Sequence, residues 1–190
     1  MLVAFAAFGQ GTFVFDQQSN TDETPPRYGS GVPIQTFAPY GQSVTPSLQA
    51  VGFIQLKLND GSPGDGRGAT LYVNLRTDSI ADPILGTTTP VTMLDLFTGT
   101  ASFFFLNDVQ VTPGLTYFFE PVVQSGGNWN IDAWEYNYEG GMVFYNGGLP
   151  ASGSDVWFRE GLFVPEPASA LLVVVGVGAF LFVRQSRQRR

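Results

Sequence analysis

The feature that most restricts the fold of this chain is a strict alternation of apolar and polar residues in its middle. The runs 51–58 and 69–76 both follow it, so Leu56 would lie on one face of a strand and Lys57 on the other. Residues 60–68 between the two runs are rich in glycine and predict a hairpin-type loop. Before the C-terminal segment no run of useful length has helical periodicity, so the pattern predicts an all-β fold.

Further strands are predicted from short runs rich in Val, Phe, Tyr and Thr, which are separated by many of the 23 glycines and 13 prolines. These predicted strands are 13–15, 92–97, 101–106, 109–111, 116–123, 129–138, 142–145 and 156–159. Strands at this spacing are typical of two antiparallel sheets packed face to face. We therefore expect residues 11–162 to form an antiparallel β-sandwich that is jelly-roll-like in its connections.

The residue types that are missing exclude several classes of function. The chain of 190 residues has no cysteine and no histidine. It therefore has no disulfides, lacks the usual ligands of zinc, copper and haem, and lacks any Ser-His or Cys-His nucleophile pair. Residues 1–164 carry five basic and fifteen acidic residues, a net charge of −10. Such a domain cannot bind nucleic acid by neutralising phosphates, which leaves cations and neutral glycans as partners.

The N-terminal residues are interpreted as the end of a secretory signal. Residues 2–8 are apolar, and Ala7 and Gly9 place small residues where a signal peptidase would cut. Because no basic segment precedes this run, we expect residues 1–10 to be the remnant of a signal that starts upstream of Met1. A first β-strand is the alternative interpretation.

The C-terminal segment has the order of a membrane-sorting signal. Pro165, Glu166 and Pro167 precede sixteen uncharged residues, 168–183, which as a helix would span roughly 24 Å, just short of a hydrocarbon core. The segment 184–190 then indicates the cytoplasmic side through its arginines. The four arginines are Arg184, Arg187, Arg189 and Arg190. Because the apolar run has no polar face, a transmembrane helix is favoured over a buried helix of the domain.

This tail resembles the PEP-CTERM sorting signal, in which a Pro-Glu-Pro motif, a glycine-containing apolar helix and an arginine-rich end stand together at the C-terminus. The resemblance covers residues 163–190, with the motif at 165–167, the helix at 168–183 and the arginine-rich tail at 184–190. Glutamine and serine residues interrupt the arginines, which departs from a contiguous cluster.

The resemblance implies processing by an exosortase, a membrane-embedded transpeptidase-like enzyme, near the motif 165–167. The chain would be anchored in the membrane transiently. Its body would then pass to the cell surface or extracellular matrix of a Gram-negative-type bacterium that makes extracellular polysaccharide.

The body is similar to the jelly-roll bodies often found in front of such tails. The similarity rests on the runs 41–46, 71–76, 109–114, 140–147 and 155–159. These runs are less specific than the tail and imply no particular ligand. They do imply that a structural Ca²⁺ is an option, because jelly rolls of this class often carry one.

The stretch 129–138 is the candidate ligand site. Alternate residues of a single strand share a face, which would bring amide, carboxylate and aromatic side chains together. These residues are Asn130, Asp132, Trp134, Tyr136 and Tyr138. Aromatic rings beside hydrogen-bonding groups suit a sugar. An ordinary buried row is the alternative, and it is favoured because one face of a sandwich strand must be buried.

Carboxylates offer two weaker candidate sites. Asp60 and Asp65, with neighbouring carbonyls, could hold Ca²⁺, but their spacing does not match an EF-hand loop and a glycine-rich hairpin without metal is favoured. A glycosidase pair could come from the glutamates. These are Glu120, Glu135, Glu139 and Glu160. Chance pairs are expected among fifteen acidic residues, so solvated carboxylates are favoured.

Together these features predict a non-enzymatic, exported surface or extracellular-matrix protein whose β-sandwich binds or associates with extracellular polysaccharide. No cofactor is required by the sequence, and calcium is the one that it leaves open. A structural module that contacts other surface proteins is the first alternative. A glycan hydrolase that uses two carboxylates is the second.

Overall fold

A computed structural model describes residues 11–133 and 136–165. Residues 14–162 form one compact unit, and the described residues 11–13 and 163–165 belong to a second. In the second unit, the rings of Phe13 and Phe163 pack with their centroids 5.2 Å apart. The predicted signal remnant at 1–10 and the predicted helix and arginine-rich tail lie outside the described residues.

The part of the chain that the structure describes folds into thirteen β-strands and contains no helix, so the all-β prediction is confirmed there. The strands are β1 (Gly11–Gln18), β2 (Val32–Pro33), β3 (Gly41–Val44), β4 (Ala50–Asp60), β5 (Ala69–Arg76), β6 (Ile84–Thr87), β7 (Val91–Met93), β8 (Thr98–Gln110), β9 (Tyr117–Gly126), β10 (Trp129–Ile131), β11 (Val143–Tyr145), β12 (Leu149–Ala151) and β13 (Phe158–Pro165).

Two antiparallel sheets form the fold. The first has the order β1-β13-β4-β10-β2, with β8 also paired to β4, and the second has the order β12-β11-β3-β9-β5-β6, with β7 also paired to β5. Strands β4 and β5 therefore belong to different sheets, and the predicted hairpin at 60–68 is wrong. Both edges of β4 are already paired, one with β8 and the other with β13 and β10, so the loop carries the chain to the opposite sheet instead.

The core lies between the facing sheets. Phe119 of β9 and Phe158 of β13 meet across them with ring centroids 5.2 Å apart, and Leu56, Leu71 and Trp129 are fully buried beside them. The strands predicted from the alternation in runs 51–58 and 69–76 are confirmed as β4 and β5.

The outer face of β4 is also covered, which the alternation did not predict. Lys57 is 1% exposed, with its Nζ 4.9 Å from the ring centroid of Trp157. The chain after β1 lies over this face, where the indole Nε1 of Trp157 donates to the backbone oxygen of Asp22 at 2.9 Å. The side-chain amide Nδ2 of Asn59 donates to the backbone oxygen of Arg27, which belongs to the same covering segment. A face that reads as solvent-exposed in the sequence is therefore buried by a neighbouring segment.

Several predicted strand limits change in the structure. The predicted strands 101–106 and 109–111 are one strand, β8, while the predicted strand 92–97 is interrupted after Met93. The predicted strand 129–138 ends at Ile131. Beyond that point the edge of β4 pairs with β13. The Asp132 N–H still donates to the backbone oxygen of Lys57 in β4 at 3.0 Å, but the Asp132 oxygen accepts from the Trp157 N–H at 2.8 Å and Ala133 forms a bridge with Val156, both in the chain before β13.

One side of the sandwich is closed by the connection between β6 and β7. Thr88 donates its backbone N–H to Val73 of β5 at 2.9 Å and forms a bridge with Phe105 of β8. Thr89 donates to the backbone oxygen of Phe104 at 2.9 Å. On the other side the sheets end in the short edge strands β2 and β12.

Replacing Trp157 by Ala should lower the free energy of unfolding by about 3–5 kcal/mol, because it empties a fully buried site and removes the ring that faces Lys57 and Arg159. Urea unfolding followed by circular dichroism measures the change. The control is Leu106→Ala, since Leu106 is 84% exposed and its loss should cost less than about 0.5 kcal/mol. Equal effects of the two substitutions would contradict the packing described for Trp157.

Candidate functional site

The structure describes four of the five residues predicted to share one strand face, and these four do not lie on one strand. Because β10 ends at Ile131, only Asn130 of these four lies on a strand, and it is 5% exposed between β4 and β2. Tyr136 and Asp132 are half-buried, and the Tyr136 hydroxyl donates to Asp132 Oδ2 at 2.6 Å. Trp134 lies outside the described residues. The proposed sugar-binding row is therefore not a continuous face.

Tyr138 belongs to the core, as the alternative interpretation expected. Its ring packs edge-on against Phe158 with centroids 5.0 Å apart. Its hydroxyl donates to Gln17 Oε1 at 3.0 Å and accepts from the Thr45 amide at 3.1 Å. Burial raises the pKa of this hydroxyl, against the opposing effect of the Thr45 hydrogen bond. Tyr138 thus has a structural role and is not available to a ligand.

The aspartates of the glycine-rich loop accept hydrogen bonds from the backbone. Asp60 is 1% exposed, and its carboxylate accepts from the amides of Ser62 at 2.8 Å and Leu96 at 3.1 Å. Asp65 accepts from the amide of Arg67 at 2.7 Å. Among the described residues no group of three or more acidic, histidine or cysteine side chains is placed to hold a metal ion. These contacts hold the loop that carries the chain from β4 to β5 of the opposite sheet. A calcium site at Asp60 and Asp65 stays a prediction.

Asp95 stabilises the same loop, which the sequence analysis missed. Its carboxylate accepts from the amides of Gly64 and Gly66, each at 2.9 Å. These hydrogen bonds, the one from Gly64 first, hold the pKa of Asp95 below its usual value. The residue lies more than 25 positions along the chain from the loop, so no local spacing indicates the contact.

The glutamates considered for a catalytic pair have separate roles in the described residues. Glu120 accepts from Asn74 and forms an ion pair with Arg76 at 2.7 Å. Glu139 is exposed, and Glu160 is fully buried. Glu135 lies outside the described residues.

Glu160 is the most unusual titratable group. It is 0% exposed, and neither carboxylate oxygen makes a well-formed hydrogen bond among the described residues, although the Asp16 carboxyl and the Gln17 backbone amide lie near enough to affect its pKa. Burial, and then the nearby charge of Asp16, raise the pKa of Glu160 to about 8. Partial burial acts to raise the pKa of Asp16, but hydrogen bonds from Ser47 and Leu48 outweigh it and lower that pKa. Glu160 is therefore protonated at neutral pH beside an ionised Asp16.

An aromatic-lined cleft lies between the edge strands β2 and β12 of the two sheets. Its volume is about 340 Å³. It is lined by Val32, Phe37, Tyr40, Val143, Tyr145, Ala151, Ser152 and Ser154. The rings of Phe37 and Tyr145 are perpendicular, at 89°, with their centroids 6.2 Å apart. Buried Val32, Tyr40 and Val143 form the inner part, and exposed Ser152 lies at the rim.

Three separate chain segments build this cleft. The chain after β2 supplies Phe37 and Tyr40, β11 supplies Tyr145, and the segment after β12 supplies the serines. The Asn146 amide donates to the backbone oxygen of Phe37 at 2.9 Å and ties the β11–β12 turn to the first segment. Because these residues follow no common periodicity, the sequence pattern does not predict that they lie close together.

Comparison with known proteins adds no assignment, since no family model matches the chain and no curated protein matches it. Within the described residues no helix has the length and apolar character needed to cross a membrane. The predicted span at 168–183 lies outside those residues, so the tail and its processing stay predictions.

The protonated Glu160 predicts a specific pH dependence of stability. Its folded pKa of about 8 is above its ordinary value of 4.5, so the folded state holds a proton that the unfolded state releases. The free energy of unfolding should therefore fall as pH rises from about 5 to about 8, by at most about 1.4 kcal/mol per pH unit, and level off above that. Urea unfolding at pH 5 to 9 measures the slope.

The matched variants for this experiment are Glu160→Gln and Glu139→Gln. The first removes the titrating group and should flatten the profile and stabilise the protein above pH 7. The second changes an exposed carboxyl and should leave the slope as it is. A wild-type profile that is already flat between pH 5 and 8 would contradict the description of Glu160.

Proposed function

We propose that the chain is an exported surface or extracellular-matrix protein whose non-catalytic β-sandwich associates with extracellular polysaccharide. The observation that carries this proposal is the order of the C-terminal elements. A Pro-Glu-Pro motif at 165–167, an uncharged apolar run at 168–183 and an arginine-rich end at 184–190 follow one another with nothing between them. Each part has a separate physical task in sorting.

The apolar run and the arginines support transient anchoring in a membrane. Sixteen uncharged residues as a helix would cover most of a hydrocarbon core, and Arg184 can extend its charged end to the interface. The arginines favour the cytoplasmic side, which leaves the sandwich on the opposite side of the membrane.

The motif 165–167 supports processing. Pro165 and Pro167 prevent a helix from continuing inward through the motif, and Pro167 favours an extended Glu166. An extended segment at the membrane surface can be bound by a membrane-embedded enzyme of the exosortase type. Cleavage there would release the acidic body to the cell surface or matrix.

The body supports a role outside the cytoplasm in contact with neutral polymers. It is an antiparallel sandwich held by packing alone, without cysteine. Its charge of −10 disfavours nucleic acid and other polyanions. The negative charge of the body is compatible with the calcium site proposed at Asp60 and Asp65.

A structural module that contacts other surface proteins is the second candidate function. The edge strand β6 of the second sheet favours it, since its apolar residues Ile84 and Leu85 are 48% and 43% exposed and an exposed edge can pair with another chain. A glycan hydrolase has less support, because Glu120 is neutralised by Arg76 and Glu160 is sealed from solvent.

Processing is tested in a host that possesses the sorting enzyme. Intact-mass spectrometry of the mature protein should find a chain that ends near Glu166 and lacks the run 168–183. Replacing Pro165, Glu166 and Pro167 together by alanine should leave the uncut chain in the membrane fraction. The control is Pro63→Ala, a change at an exposed loop proline that should be processed normally. Mature wild-type protein that retains its arginine-rich end would contradict the proposal.

A further inference from the structure

The cleft between edge strands β2 and β12 has the properties of a ligand site that the sequence analysis did not find. We propose that it binds one neutral sugar residue of a polysaccharide chain. The inference rests on the proposed association with polysaccharide and names the site and the chemical class of sugar. It is a different site from the predicted row at 130–138, because none of the described members of that row lines the cleft.

The aromatic rings of the cleft fit the apolar face of a sugar ring. Phe37 and Tyr145 are both half-buried, so part of each ring is accessible. Because they meet at 89°, one ring presents its face where the other presents its edge. A pyranose stacks its C–H groups on such a face while its hydroxyls point to the side. The volume of about 340 Å³ is at the lower end of the range for small-molecule sites, which suits a single ring.

The hydroxyl groups of the cleft are uncommitted. Within residues 11–133 and 136–165, no hydrogen bond is made by the side-chain hydroxyls of Tyr40, Tyr145, Ser152 and Ser154, all of which line the cleft. Tyr40 and Ser154 are mostly buried, at 3% and 9% exposed, but neither hydroxyl oxygen is among the enclosed side-chain atoms that lack a partner, so both oxygens reach the open space of the cleft. A ligand that supplies several hydroxyls would satisfy them.

The charge around the cleft selects a neutral ligand. None of the eight lining residues is charged. The nearby Asp155 carboxylate already accepts from Gln42 Nε2 at 2.6 Å and from the Tyr138 amide at 2.9 Å. Burial first, and then the charge of Asp155, raise the pKa of Tyr40, so its hydroxyl remains a neutral donor. A uronic acid would bring a second negative charge beside Asp155, while an alkyl chain would leave the hydroxyls without partners.

The binding experiment is affinity electrophoresis of the full chain in mild detergent through native gels. One set of gels contains neutral polysaccharides, namely dextran, galactomannan and xyloglucan, and the other contains anionic alginate and hyaluronate. We expect at least one neutral polysaccharide to retard the protein and the anionic ones to leave its mobility unchanged.

Two variants address the cleft directly. Tyr40→Phe removes one hydroxyl and keeps the packing, and it should weaken retardation by about five- to twentyfold. Tyr145→Ala removes the stacking ring and should weaken it by at least about fivefold. The control is Tyr28→Phe, because the Tyr28 hydroxyl bonds to the backbone oxygen of Leu96 away from the cleft, and its loss should leave retardation unchanged. Equal far-ultraviolet circular dichroism and a cooperative urea transition of each variant establish that it is folded.

The outcomes separate the site from the function. Retardation by a neutral polysaccharide that both cleft variants weaken and Tyr28→Phe does not would support the inference. Retardation that neither cleft variant changes would overturn the site and leave the polysaccharide association standing. Binding only to anionic polysaccharides would overturn the assignment of a neutral sugar. Retardation by none of the five polymers would overturn both the site and the polysaccharide association, while normal C-terminal cleavage would still support export.

Discussion

Complete enclosure of β4 is the constraint on which the rest of the sandwich depends. All eleven residues of Ala50–Asp60 are buried, and both edges of the strand are paired. The inner face contacts the opposite sheet, and the outer face is covered by the chain after β1, where the ring of Trp157 lies over Lys57. Because this strand leaves no edge for β5, the chain must cross to the second sheet, which determines how the two layers are connected.

The strands that the sequence predicts well are those with local alternation. Runs 51–58 and 69–76 give β4 and β5 almost unchanged, because a period of two is a property of neighbouring residues. The limits of β10 depend instead on where β13 takes over the edge of β4, a contact between residues far apart in the chain. The burial of Lys57 similarly depends on a distant segment without any periodic pattern, so no local signal could indicate it.

The candidate sites show the same division. The aromatic stretch 129–138 is predicted as a ligand site because its residues are close in sequence. In the structure Tyr138 packs in the core and Asn130 lies on a buried strand. The cleft draws Phe37, Tyr145 and the serines after β12 from three segments, and only the closing of the sandwich brings them together. The C-terminal signal differs from both sites because its parts are contiguous in the sequence. It can therefore be proposed without knowledge of any tertiary contact.

The two edge strands beside the cleft have a consequence for how molecules behave when crowded. β2 is two residues long and β12 is three, and each contains a proline, Pro33 and Pro150. A proline has no N–H to offer an incoming strand, and so short an edge gives little template for one. Intermolecular sheet growth, the first step toward aggregation, is therefore disfavoured along the side where the cleft opens, and that side can stay free at high local concentration.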